Sequence, residues 1–439
     1  MKHKFYGGVH PAEHKDATEH KPIAPLANAP AQVVIPMNMH IGAPCKPIVA
    51  KGDQVKIGQL IGETTGLGAP IHASVSGKVV AVEPRPAATG FPVMSVVIEN
   101  DFQNEVSPDC KKRDNVDALT PQEIVDIIRD AGITGMGGAG FPTHVKIGSA
   151  IGKADTIIVN GAECEPYITS DHRLMLEHGE KIIQGVRFIM KALSLNNAFI
   201  GVEDNKMDAV THLKGLVGEK NDITVEALHT CYPQGAEKQL IQRITGREVP
   251  PGKLPADVGC CVFNVATVSA VYDAVVSGMP LVQRIVTVTG GAIKNPVNLL
   301  APLGTSFEHL VEEAGGFSEP ANRVISGGPM MGVAQYDLSV TLGKATNCVL
   351  CLSKKEMPAT SERHVCIRCA RCVNVCPMHL LPLYMNMYSK KSEWREAETL
   401  RLMDCMECGC CQYICPGRIP LVQQFRTAKF EVRQLAAKK

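Results

Sequence analysis

Eight of the seventeen cysteines in this 439-residue chain fall into two runs of identical spacing near its C-terminus. The first is Cys366-x2-Cys369-x2-Cys372-x3-Cys376 and the second is Cys405-x2-Cys408-x2-Cys411-x3-Cys415, each followed by proline. Three thiolates this close converge from one loop onto one cubane, and in a doubled pattern the fourth ligates the other cluster. The spacing therefore predicts two [4Fe–4S] clusters. One is held by Cys366, Cys369, Cys372 and Cys415, the other by Cys405, Cys408, Cys411 and Cys376, with each fourth cysteine opening a helix. Zinc sites show separated cysteine pairs instead of a repeated three-plus-one run. Cys410 breaks the spacing and reads as a bystander. Cys348 and Cys351, a lone CxxC, read as ordinary buried thiols and not as a third redox site, and Cys260 and Cys261 read as core.

Met1 to Lys4 leads into Phe5-Tyr6-Gly7-Gly8 and not into an apolar run, so no secretory leader is expected. The cysteines then read as metal ligands in a reducing compartment. The longest apolar stretch, from Val258 to Tyr272, is short for a membrane span. Lys and Arg total 45 against 44 Asp and Glu, a formal charge of +1, which argues against a nucleic-acid binder. Aromatic residues at 5% are too few for stacking platforms. From Thr346 onward the balance changes: fifteen basic and eight acidic residues leave a surplus of +7, able to offset anionic clusters or to receive an acidic redox partner.

Composition and periodicity divide the chain into six stretches. Residues 1–29 lack periodicity and read as an extended arm, with His10 and His14 solvated. Residues 30–100 are short β runs in two related halves, of barrel-sandwich type. The turn between the halves, Gly62 to Pro70, contains no lysine, so lipoylation or biotinylation is not expected. Residues 101–120 read as a linker. At Thr120-Pro121-Gln122-Glu123 a capping box with proline at the first helical position opens a helix. Residues 121–280 alternate helical and strand patterns, and Thr156 to Val159 is a continuous apolar run of the buried parallel-strand kind. Residues 281–345 return to β with one helix near Ser306 to Ala314, the order of a β-grasp module. Residues 346–439 read as helices around the cysteine runs.

A glycine-rich segment, Gly135 to Gly140, precedes Phe141-Pro142-Thr143 and Lys146. It contains a GxGxxG match but follows a helix and not a strand, so it is not a Rossmann fingerprint. Its glycines suit a backbone that approaches a phosphate or a flat ring. The strand ending at Val159 runs into Asn160-Gly161-Ala162-Glu163-Cys164-Glu165. Polar residues outside the carboxyl end of a parallel strand are where α/β sheets bind ligands. Together with the clusters, these segments suggest a flavin site.

The glycine loop and the Asn160–Pro166 segment resemble the flavin- and NADH-binding subunit of respiratory complex I. The whole chain is closer to the C-subunit family of Rnf-type ferredoxin:NAD⁺ oxidoreductases. Phe5 to Pro11, Val75 to Val79, Tyr232 to Lys238, Ile325 to Gly332 and both cysteine runs carry that resemblance. It implies a multidomain α/β protein: a barrel-sandwich domain, an α/β flavin- and NADH-binding domain, a β-grasp (SLBB-like) module and a helical two-cluster ferredoxin domain. The implied cofactors are two [4Fe–4S] clusters, FMN and NAD(H). By resemblance Gly137, Gly138, Gly140 and Lys146 would hold FMN, with Asn160 at the flavin. Glu163 and Glu165 would lie at the flavin–nicotinamide face and Phe141 near the adenine. Gly235 and Glu237 match the complex I Gly-Glu-Glu-Thr motif with one acid lost, and Asn264 and Thr267 match its Asn-Val-Glu-Thr motif without the glutamate. The implied role is a peripheral subunit on the cytoplasmic face of a membrane redox complex. Its partners would be a ferredoxin-like subunit and flavin-carrying and membrane-spanning subunits, with ferredoxin reached indirectly. The competing reading is an iron–sulfur adapter with a degenerate flavin site.

Overall fold

The computed structural model describes residues 5–88, 90–357 and 365–437. Thr120 caps the helix Pro121–Asp130 from both sides: its hydroxyl accepts from the Glu123 amide, and the Glu123 carboxylate accepts from the Thr120 amide. Ile124 and Ile128 then fall on the buried face of that helix. The apolar run at 156–159 forms the strand Thr156–Gly161, sandwiched as its composition requires. Ile157 and Val159 face the main core, while Ile158 packs with Leu240, Ile241 and Ile244 on the other side.

That strand is central in a four-stranded parallel sheet ordered Ile223–Leu228, Ala198–Glu203, Thr156–Gly161, Cys260–Asn264. The chain adds two strands on one side of Thr156–Gly161 and then crosses to its other side for Cys260–Asn264. The strand order therefore reverses between these two, which opens a crevice at their carboxyl ends.

Residues 30–100 form two small sheets, one containing the long hairpin Gly77–Pro86 and Pro92–Asn100, the other the short strands Lys46–Pro47, Leu60–Glu63 and Ile71–His72. The fourth sheet has six strands, ordered Ile23–Pro25, Val297–Pro302, Gln283–Thr289, Cys348–Leu352, Arg323–Ser326, Val333–Gln335, with the helix Phe307–Glu313 capped by Ser306. Its composition corrects two boundaries. The arm is not merely extended, because Ile23–Pro25 pairs with Val297–Pro302 as an edge strand. The module also does not end at 345, because Cys348–Leu352 lies inside the sheet, between Gln283–Thr289 and Arg323–Ser326. Its near-continuous apolar sequence suits a strand buried on both faces. The alternation puts Cys351 in the main core and Cys348 in a separate apolar cluster with Tyr167 and Ile168, so the two thiols share no site.

The arm is packed as well as paired. Lys15 and Thr18 are buried, and His14 stacks on Tyr167 with ring centroids 4.7 Å apart, so it is not simply solvated. Gly7 and Gly8 take left-handed conformations that bring the arm against the Val375 and Tyr232 carbonyls, where a Cβ would clash. The polar segment 101–120 is held down too: Arg113 donates to the carbonyls of Ala274 and Val275. One contiguous core runs through the sandwich, the parallel sheet and the six-stranded sheet, whereas the helices around the cysteine runs have a core of their own.

Candidate functional site

The crevice is floored by two asparagines in register, Asn160 and Asn264, the last polar groups of the adjacent strands at the reversal. Asn160 donates to the Gly235 carbonyl (2.8 Å) and accepts from the Ala162 amide (3.1 Å). Asn264 caps the helix Val265–Tyr272 through the Ala266 amide (2.8 Å) and donates to Asp171 (2.6 Å). The glycine loop lies over this floor and is fastened at Met136. The Met136 amide donates to the Thr267 hydroxyl (3.0 Å), and the Met136 carbonyl accepts from the buried Arg284 guanidinium (3.4 Å).

Past that fastening, Gly137, Gly138 and Ala139 are exposed. Among the described residues, the amides from Gly137 to Phe141 donate to no protein acceptor. A Cβ at Gly137 would press on the Asn264 side chain, whereas one at Gly138 would meet nothing within 4 Å. Lys146, on the helix Thr143–Ala150, donates to the Val262 carbonyl (2.9 Å) and to Glu237 (3.0 Å), the first residue of the helix Glu237–Thr245. Gly137, Gly138, Lys146, Asn160, Gly235, Glu237, Asn264 and Thr267 are thus brought to one cleft. Gly140 and Phe141 end the loop: Gly140 is left-handed and its carbonyl accepts from Ile41, while the carbonyl of Phe141 accepts from Gly135. A run of unpaired amides beside a lysine fits a phosphate, and glycines let a flat ring come close. The donor set therefore fits a flavin mononucleotide.

Glu163 and Glu165 are placed otherwise than the resemblance implied. The Glu163 carboxylate accepts from the amides of Asp171 (2.6 Å) and His172 (3.2 Å), at the start of the helix Ser170–Glu177, and lies 3.8 Å from the Lys15 ammonium. Glu165 accepts from the amides of Met330 (3.1 Å) and Met331 (2.8 Å), tying the α/β domain to the turn after Arg323–Ser326. Burial pushes each carboxyl up to about 7. Both are committed to backbone amides, so neither carboxylate faces the cleft. A helix N-terminus attracts an acidic side chain, and spacing along the chain does not reveal that attraction.

Asp171 and Lys15, which bear on the site, carry no sequence signal. Asp171 is buried, which raises its pKa, and it holds Asn264. Lys15 comes from the arm to donate to the carbonyls of Glu163 and Ile168. Tyr232, at the head of the segment that runs to Lys238, is buried, and its hydroxyl donates to the Cys408 carbonyl (2.7 Å). These placements join segments far apart in sequence.

The cysteine runs fold alike. Arg368 and Ala370 in the first, and Glu407 and Gly409 in the second, take left-handed conformations that curl each run around a centre. One hollow is lined by Cys366, Cys369, Cys372 and Cys415, the other by Cys405, Cys408, Cys411 and Cys376. Cys376 and Cys415 do not open helices: each follows a short helix, Arg371–Asn374 or Cys410–Tyr413, just past its C-cap, and the next helices begin at Pro382 and Leu421. The proline after each cysteine turns the chain before a new helix can start. The eight thiols, grouped as two crossed quartets, fit two cubanes. Cys410 lies in the wall of the second hollow, with its thiol 3.9 Å from the Tyr232 carbonyl.

Four family models match: the Nuo51 FMN-binding domain over residues 128–273, the RnfC barrel sandwich hybrid domain over 3–103, the SLBB domain over 285–334 and the 4Fe-4S dicluster domain over 365–419. The C-subunit of the Na⁺-translocating ferredoxin:NAD⁺ oxidoreductase complex of Acetobacterium woodii is 47% identical over 98% of this chain and 97% of its own length. The C-subunit of the proton-translocating ferredoxin:NAD⁺ oxidoreductase complex of Clostridium ljungdahlii is 47% identical over 99% of this chain and 95% of its own. The C-subunit of the ion-translocating oxidoreductase complex of Pseudomonas aeruginosa is 41% identical over 98% of this chain and 56% of its own. A chain of an NAD⁺-reducing [NiFe]-hydrogenase shares the fold, with a TM-score of 0.52 at 19% identity over 72% of this chain and 65% of that one. With identity of this level along nearly its whole length, the chain belongs to the C-subunit family of ion-translocating ferredoxin:NAD⁺ oxidoreductase complexes.

Proposed function

We propose that the chain is the peripheral electron-transfer subunit of such a complex, exchanging a hydride with NADH at FMN and single electrons through two [4Fe–4S] clusters. The observation that carries this is the run of unpaired amides from Gly137 to Phe141, lying over Asn160 and Asn264 at the strand-order reversal. FMN, when bound, supplies the exchange between a hydride pair and single electrons, chemistry that no side chain can provide.

The protein's part is positioning. The glycine amides and Lys146 hold the phosphate end, Asn160 and Asn264 sit at the ring, and Thr267 and Arg284 keep the loop in place. Phe141 flanks the adenine side. With Glu163 and Glu165 committed elsewhere, the acidic groups left at the cleft are Glu237, paired with Lys146, and the buried Asp171, which holds Asn264. The two crossed quartets support a count of two clusters, and the six-stranded sheet with its single helix is read as a β-grasp module. The domain divisions are read as arm, sandwich, linker, α/β domain, β-grasp and ferredoxin domain, with the β-grasp extended to residue 352. Among the described residues no helix is long and apolar enough to cross a membrane. We place the chain on the cytoplasmic face, held by membrane-spanning partner subunits.

Acid release of bound cofactor followed by a flavin assay tests the reading, with Gly138→Val as the variant. Gly138 has open space before it, so the fold tolerates the side chain while the cleft is filled. Most of the flavin should be lost with iron content intact. Flavin retained in full would overturn the assignment, and a wild-type chain with iron but no flavin would leave the iron–sulfur adapter as the function.

A further inference from the structure

We propose that the barrel sandwich is a working part of the flavin site: its loop from Met37 to Cys45 holds the outer shoulder of the glycine loop, and Ile41, through its backbone amide, is a positioning residue for the cofactor. This role rests on the FMN reading and adds a second domain to the site. It also gives an occupation to a sandwich whose turn has no lysine to modify.

The glycine loop stands on a short stem. The Gly135 amide donates to the Phe141 carbonyl (2.8 Å) and the Thr143 amide to the Ile133 carbonyl (3.0 Å), which leaves Met136 to Gly140 as the head. Three of those five residues are glycine, and glycine loses more conformational freedom on ordering than any other residue. Such a head keeps its amides converged only if it is held from outside. Each bond that holds it before the ligand arrives lowers the ordering cost of binding. The inner shoulder, Met136, is held by Thr267 and Arg284. The outer shoulder, Gly140, is buried, and its carbonyl accepts from the Ile41 amide (3.1 Å). His40 and Met39 lie against the same glycine, at van der Waals distance from the position of a Cβ.

The sandwich side of that bond is itself tied down. The Cys45 amide donates to the Met37 carbonyl (2.7 Å) and closes the loop, and the Ala43 amide donates to the Leu67 carbonyl (2.9 Å) in the neighbouring turn. The His40 Nε2 lies 3.3 Å from the Cys45 sulfur. A second tie grips the foot of the stem. Lys344 donates both to Pro70 of the sandwich and to Gly132, the residue before the stem. Gly132 is left-handed, and a Cβ there would lie 2.1 Å from the Pro70 carbonyl oxygen, so backbone meets backbone at the foot. The sandwich therefore reaches the glycine loop at its foot and at its outer shoulder. The Ile41 side chain is 42% exposed, so the amide can be altered without opening a hole in the core.

The test is FMN affinity, read anaerobically from the quenching of FMN fluorescence by flavin-depleted, cluster-loaded chain. Ile41→Ala keeps the amide and should bind FMN as wild type does. Ile41→Pro removes the amide and leaves the buried Gly140 carbonyl without its donor, which should weaken FMN by about tenfold. Ile41→Gly keeps the amide but frees the backbone around it, which should weaken FMN by about threefold. Iron content should be unchanged in all three, and so should hydrogen-exchange protection of the strands Gly77–Pro86 and Thr156–Gly161. FMN bound by Ile41→Pro and Ile41→Gly as tightly as by wild type would overturn the proposal and leave the flavin reading standing. An equal loss in Ile41→Ala would overturn the assignment to the amide. Proline also restricts the residue before it. If Ile41→Pro loses protection in Gly77–Pro86, the comparison of Ile41→Gly with Ile41→Ala decides, and equal affinities overturn the proposal. A wild-type chain that takes up no FMN would remove the flavin reading, and the role of the sandwich with it.

Discussion

Glu165 illustrates how a single carboxylate can be diverted from the chemistry its motif suggests. Its two oxygens take the amides of Met330 and Met331, and burial lifts its pKa from 4.5 to about 7. A folded pKa above the unfolded one means the stabilising contribution is fully present below pH 4.5 and is lost as the pH rises toward 7. Glu165→Gln keeps an acceptor and removes the titration. Its thermal midpoint, followed anaerobically, should decline less than that of wild type between about pH 5 and 7, and parallel declines would refute this. Lys15 and Glu163 are a second buried pairing, with side chains 4% and 3% exposed. Lys15→Met strips the ammonium from two carbonyls and a carboxylate. The expected cost is about 3–5 kcal/mol, the usual penalty for breaking a buried pair from one side, read from chemical denaturation. A loss below about 1 kcal/mol would place the pair in the range of a surface salt bridge.

At the scale of elements, the two cysteine runs share backbone conformation but differ in electrostatics. Sequence alone suggests the higher potential for the first cluster, because Arg368 and Arg371 lie in its run and Glu407 in the second. Glu407, however, pairs with Arg426 (2.9 Å) and with the buried Lys429 (2.8 Å), which also donates to the Cys405 carbonyl. The negative charge of Glu407 is therefore offset, and the argument for that order of potentials lapses. Two separate shifts are expected. Arg368→Gln with Arg371→Gln should lower the first midpoint by on the order of tens of millivolts, since exposed charges are screened. Lys429→Met should lower the second midpoint by more, because its charge is buried. Redox titration followed by EPR separates the two, and midpoints that do not move would refute the charge account. In the sandwich, the segment from Gly62 to Pro70 offers no lysine, so intact mass should show no lipoyl- or biotin-sized adduct.

The whole molecule has two cores of unequal dependence on cofactor. The sandwich, parallel sheet and six-stranded sheet share a continuous apolar interior. Lys344, buried among them, donates to the carbonyls of Pro70 and Gly132 at 2.7 Å each, which ties the sandwich to the α/β domain. The helices Pro382–Lys390 and Leu421–Ala437 close a smaller core that includes cluster cysteines. Metal ligation contributes directly to the folding of such small domains. Oxidative removal of the clusters should therefore abolish hydrogen-exchange protection in those two helices and leave the strand Thr156–Gly161 protected. Loss of protection in both regions together would mean a single cooperative unit.

The sequence by itself determined what depends on local spacing. The cysteine runs, the capping box at Thr120, the buried strand at 156–159 and the glycine loop are each written within a few neighbouring residues, where ligand geometry, helix capping and strand burial act. The grouping of the eight thiols around two hollows, three from one run and one from the other, was legible too, because the spacing of a doubled run dictates it. Tertiary structure decided what depends on which distant segments meet. It set Asn160 beside Asn264 across a crossover of about a hundred residues, drew Glu163 to a helix N-terminus and Glu165 to two backbone amides, and brought Lys15 to Glu163 and Tyr232 to the second cysteine run. It also neutralised Glu407. A buried charge takes whichever partner desolvation leaves within reach, and that partner is fixed by packing, not by position along the chain.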